Sequence, residues 1–114
     1  MVNNATSRAN FVAKAVQFLE TYNFDGLDLD WEYPVCWQAD CNAGPPSDKE
    51  NFVNLVRELR TAFTPRGWTL SSAVSASRST GDLAYDVPTL SQQLDWIGLM
   101  VTDNFHFLTV KIVK

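Results

Sequence analysis

The sequence predicts an α/β fold built from parallel βαβ units. Two amphipathic helical runs each precede an apolar strand, and a loop with a short helix leads into a third. Helix and strand alternating in this way is the order in which helical crossovers join parallel strands.

Over residues 7–22, Phe11, Val12, Ala15, Val16, Phe18, Leu19 and Tyr22 recur at helical spacing, so one face is expected to bury against a sheet, with Thr6 or Ser7 capping the start. Residues 24–34 then alternate acid with apolar and are expected to form the first strand. Ser47-Asp48-Lys49-Glu50 reads as a capping box, and Phe52, Leu55, Val56, Leu59 and Phe63 as the stripe of the second helix. Thr64-Pro65-Arg66-Gly67 ends that helix. Residues 68–76 are expected as a strand with Ser71, Ser72 and Ser75 making one side small and polar. Residues 82–88 are expected as a loop, 89–94 as a short helix and 95–101 as the last strand.

Residues 24–34 read Phe-Asp-Gly-Leu-Asp-Leu-Asp-Trp-Glu-Tyr-Pro. On a strand Asp28, Asp30 and Glu32 point one way and Leu27, Leu29 and Trp31 the other, with same-face neighbours roughly 7 Å apart. Aspartate is a poor strand former, and solvated strand faces favour Thr, Lys and Gln, so three successive acids are an odd way to fill an outer surface. In a site drier than water such a row cannot ionise freely, and one member is expected to keep a proton for acid catalysis. A calcium loop would share the Asp-x-Asp-x-Glu spacing. It would also need Gly where Tyr33 stands and an acid where Ala39 stands.

The spacing Asp25-x-x-Asp28-x-Asp30-x-Glu32, framed by Phe24, Gly26, Trp31, Tyr33 and Pro34, resembles the D-x-x-D-x-D-x-E signature of the family 18 glycoside hydrolases, the chitinases and their relatives. The resemblance implies a (β/α)8 TIM barrel with this motif on its fourth strand and the active site at the strands' C-terminal face. It implies that Glu32 protonates the leaving oxygen and later activates water, that Asp30 orients the substrate acetamide, and that Asp28 tunes Asp30 from behind. Only one acid need donate a proton, because the acetamide itself attacks the anomeric carbon. Asp25, near the strand's start, is read as structural.

Tyr85-Asp86-Val87-Pro88 and Leu94-Asp95-Trp96-Ile97 are similar to the family's connection into its sixth strand. The expected architecture is therefore a partial barrel, roughly the third helix through the sixth strand, since a whole one takes about 250 residues and this chain has 114. Residues 1–103 are read as a partial catalytic domain and 104–114 as a divergent tail. Met100 and Asp103 match the family's Met-x-Tyr-Asp motif and, with Tyr33, are expected to bind substrate; Thr102 replaces the motif's Tyr. Trp37 offers a further surface for sugar stacking, whereas Trp31 is expected to face the helices. Cys36 and Cys41 can close a small disulfide loop, and arthropod chitinases of this kind carry similar cysteines there.

The partners implied are chitin or chitooligosaccharides, without a cofactor. Net charge of −4 argues against nucleic-acid binding, and two cysteines with one histidine, His106, do not make a metal site. No segment is long and apolar enough for a membrane span. The family implies an extracellular location; the first six residues show no signal peptide, and Asn4-Ala5-Thr6 is a glycosylation sequon.

Overall fold

The computed structural model describes residues 1–101. Its elements are helix α1 (Ala5–Tyr22), strand β1 (Gly26–Asp30), helix α2 (Asp48–Phe63) with a 3-10 turn (Thr64–Arg66), strand β2 (Thr69–Ser75), helices α3 (Arg78–Ala84) and α4 (Val87–Gln93), and strand β3 (Trp96–Met100). The three strands form one parallel sheet in the order β1-β2-β3. This is the βαβ pattern expected, in an amount that fits part of a barrel.

The caps differ from expectation. Asn4, not Thr6 or Ser7, caps α1: its side-chain oxygen accepts from the Ser7 N–H at 3.1 Å. At α2, Ser47 makes no side-chain cap and the next residue, Asp48, is buried instead. Gly67 closes the 3-10 turn in the left-handed conformation (φ 67°), as the Thr-Pro-Arg-Gly signal requires.

The core lies between α2 and the sheet. Phe52, Leu55, Val56, Leu59 and Phe63, the stripe read from spacing, are all buried and meet Leu70 and Val74 of β2. Helix α1 packs on α2 through Phe11, Val12, Ala15, Val16 and Leu19, and Arg8 ties the two by donating to Glu58 at 2.9 Å. Phe18 and Tyr22, expected on the same buried face, are 54% and 62% exposed; Phe18 meets Tyr22 at a tilt and stacks on exposed Phe24. They occupy the margin beside β1, where the described residues supply no further element to cover them.

At the sheet's N-terminal edge, Arg60 of α2 donates to the Gln93 carbonyl and to Asp95, whose Oδ2 also accepts from the Leu70 N–H at 2.7 Å. Gly26 starts β1 where a Cβ would collide with the carbonyl and hydroxyl of Thr69, so only glycine allows the strands this approach. The stretch expected as a loop after β2 is mostly helical, because α3 buries Thr80 and Ala84 despite its interior Gly81.

Candidate active site

The β1–β2–β3 register places Asp28, Ser71 and Trp96 in one row and Asp30, Ala73 and Gly98 in the next; Ser75 and Met100 pair beyond them. Glu32 follows two residues past the end of β1, at its C-terminal end. Side chains alternate faces, so Asp28 and Asp30 share the face away from the helices, while Leu27, Leu29 and Leu70 pack toward them. Ser72 therefore does not join Ser71 and Ser75 as expected: it points to the other face and donates to the Leu29 carbonyl at 2.8 Å.

Asp28 accepts a 2.5 Å hydrogen bond from the Ser71 hydroxyl. Ser71 is almost fully buried, whereas Asp28, Asp30 and Glu32 are exposed. The dry pocket expected around the acids is not formed by these three strands, because the carboxylate face has no layer over it. Asp25, outside the strand and exposed, holds the sheet through its carbonyl, which accepts from the Thr69 N–H at 2.9 Å.

Behind the acids stands Tyr85, from the turn between α3 and α4. Its ring packs edge-on against Phe52, and its hydroxyl oxygen accepts from the Ser75 N–H at 3.4 Å. Burial pushes the Tyr85 phenol up to about 12 against the opposing effect of that bond, and the nearby Tyr33, Asp30 and Glu32 add to the rise.

The aromatic expectations divide. Trp31 lies against the core, edge-on to Phe52, as read. Tyr33, expected to touch substrate, is only 6% exposed and belongs to the core, so its ring presents little surface to a sugar. Trp37 is half-exposed. Cys36 and Cys41 are joined as a disulfide across the loop that carries it. Met100 is half-buried at the end of β3; Asp103, Thr102, His106 and the 104–114 tail lie outside the described residues. Among the described residues no group of acids, cysteines or histidines is placed to hold a metal ion, and no helix is long and apolar enough to cross a membrane.

Sequence reasoning passed over Asp48, Ser71 as a partner of Asp28, and the nearness of Tyr85 to the acids. The one available signal was the run of small serines on a strand adjacent to an acidic one. Asp48 looked like an ordinary first-turn acid.

A parallel sheet with acids running to the C-terminal end of one strand is consistent with a segment of a barrel enzyme, whose active site lies at that face. The glycosyl hydrolases family 18 profile matches residues 1–109. The chain is 52% identical over 106 residues to "Probable chitinase 10" of Drosophila melanogaster, which covers 93% of this chain and 5% of that protein. Two solved structures of Ostrinia furnacalis Group II chitinase catalytic domain 2 superpose with a TM-score of 0.85. They are 63% identical for the domain and 62% for a mutant in complex with (NAG)5, each covering 87% of this chain and 26% of theirs. This chain belongs to the family 18 glycosyl hydrolases, and it spans about a quarter of the solved chains it matches.

Proposed function

We propose that this chain carries the acid strand of a chitinase-type glycosidase, which cleaves β-1,4 linkages between N-acetylglucosamine units with retention of configuration. One observation carries the reading: Asp28 and Asp30 share one face of a parallel strand and Glu32 follows just past its C-terminal end, in a family 18 chain.

Glu32 gives its proton to the glycosidic oxygen as the C1–O bond breaks, and the substrate's acetamide oxygen bonds to C1. Asp30 orients that acetamide and stabilises the positive oxazolinium ion. Water then adds to C1 as the oxazolinium C1–O bond breaks and frees the acetamide, and the water's proton passes to Glu32. Asp28, held by Ser71, stands one step back along the strand and tunes the charge of Asp30 from behind. Asp25 keeps a structural part, and Met100 and Asp103 complete the sugar site; chitin or chitooligosaccharides are the partners. The open carboxylate face supports a further point, that barrel strands beyond the three described are needed to close the site.

Hydrolysis of a fluorogenic chitooligosaccharide by the protein and by Glu32→Gln tests the assignment. Turnover that disappears in the variant supports it; equal rates in the two defeat it. Thr102 in place of the motif's Tyr favours a second reading, a non-hydrolytic chitin binder. Measurable oligosaccharide binding without turnover would select that one.

A further inference from the structure

Directly after Glu32 the chain builds a braced loop that the acid row itself does not require. Gln38 donates its backbone N–H to the Glu32 carbonyl at 3.3 Å, Tyr33 donates to the Cys36 carbonyl at 3.2 Å, and Gly44 donates to the Val35 carbonyl at 2.9 Å. The Cys36–Cys41 disulfide closes the loop's middle. Val35, Gln38 and Ala39 all take left-handed backbone angles (φ 65°, 52° and 68°), which side-chain-bearing residues adopt only where surrounding contacts hold them.

These contacts converge on one side chain. Trp37 donates its indole N–H to Asp48 Oδ2 at 2.8 Å, and the same oxygen accepts from the Val35 N–H at 3.3 Å. Asp48 is 2% exposed, so a carboxylate has been taken out of water and both its recorded donors come from this loop. The indole edge also lies against Gly44, where an added Cβ would come within 2.7 Å of the Trp37 Nε1. Despite all this anchoring, Trp37 remains 45% exposed. A core tryptophan would be buried, and an incidental surface one would not be held by a buried acid.

We propose that Trp37 is a sugar-binding residue whose exposed indole face stacks on a pyranose ring of an N-acetylglucosamine polymer, next to the linkage on which Glu32 acts, with Asp48 as its positioning residue. This rests on the glycosidase reading above. The chemistry fits because an equatorially substituted β-linked sugar presents a flat face of C–H groups, for which a rigid indole is a large and matching apolar surface. Tying the edge through Nε1 fixes the plane before the sugar arrives, so little ordering is left to binding. The bond from Gln38 to the Glu32 carbonyl sets the distance between platform and acid.

The test is titration of the full, isotope-labelled chain with tri-N-acetylchitotriose, read by NMR at the tryptophan ring protons and indole N–H groups. On saturation the sugar C–H protons lying over the indole are expected to shift upfield in its ring current, and the Trp37 ring signals to be displaced from their free positions. Trp37→Ala is expected to weaken binding about tenfold, the loss of one good stacking contact, and Trp37→Phe, which keeps a flat ring, by about threefold or less. Asp48→Asn is expected to displace the Trp37 indole N–H resonance and weaken binding about threefold while the far-ultraviolet circular dichroism is retained. Unshifted Trp37 signals in the bound native chain, or native affinity in Trp37→Ala, overturn the platform and leave the glycosidase reading standing. A native chain that neither binds the trisaccharide nor hydrolyses it overturns both.

Discussion

The hydroxyl of Ser71 reaches across the β1–β2 register to the carboxylate of Asp28, 2.5 Å from oxygen to oxygen. Serine is therefore the partner that strand β2 offers to the acid row, and a longer side chain on this buried position would press against β1. In Ser71→Ala the exposed Asp28 turns to water instead, so the stability loss in urea unfolding is expected to be only about 1 kcal/mol. Hydrolysis is expected to slow in kcat more than KM changes, because Asp28 loses its fixed position and the sugar contacts remain. A KM effect alone would show that Ser71 acts on binding.

Asp95 carries a pH dependence. Burial alone would raise its carboxyl, but the bonds from Arg60 and from the Leu70 N–H outweigh it and hold the group below its ordinary value of 3.8. A carboxylate lowered in the folded state stabilises the protein above the unfolded value, and that contribution is lost as pH falls through the folded one. Thermal melts in mild acid should therefore lose midpoint more steeply, below about pH 4, in the native chain than in Asp95→Asn. At neutral pH the substitution should cost about 1 kcal/mol at most, since the pair is partly open to water and screened. Identical acid slopes would remove the linkage.

The spacing of apolar residues made α2 legible almost whole, because both the stripe and what covers it belong to this chain. For α1 the same rule found the helix and misjudged Phe18 and Tyr22: periodicity identifies a face but says nothing about the neighbour needed to bury it. Helix α3 was hidden by Ser79 and Gly81, whose poor propensity is outweighed by burial of Thr80 and Ala84. The acid row could be read directly, since a period of two assigns faces without tertiary knowledge. Its supports could not. Asp48 and the loop over residues 35–44 depend on left-handed angles at Val35, Gln38 and Ala39, for which no glycine gave notice.

That contrast between covered and uncovered apolar residues predicts two opposite responses. Leu59 is fully buried between α2 and the sheet, so Leu59→Ala should cost about 2–5 kcal/mol through the cavity it leaves. Phe18→Ser removes an exposed ring stacked on Phe24, so stability should change by less than about 0.5 kcal/mol while self-association falls. Urea unfolding and sedimentation measure the two effects. A large stability loss in Phe18→Ser would mean that the aromatic cluster is part of the folding core.

At alkaline pH the controlling residue is Tyr85. Its phenol is pushed up to about 12, chiefly by burial against Phe52 and further by Tyr33, Asp30 and Glu32, while the Ser75 N–H opposes the rise. In the unfolded chain the same group ionises near 10.0. A raised folded value means the native state keeps a proton that the unfolded state releases, so the contribution is whole below pH 10 and declines as pH climbs toward 12. Over that window the slope amounts to something on the order of 2–3 kcal/mol. Tyr85→Phe retains the ring on Phe52, gives up the acceptor for Ser75 at about 1 kcal/mol, and should flatten this part of the stability profile. Tyrosinate absorbance should show a late-titrating component in the native chain that the variant lacks. If the late phenol persists in the variant, the alkaline loss belongs to another residue and Tyr85 does not sit among the acids as the structure shows.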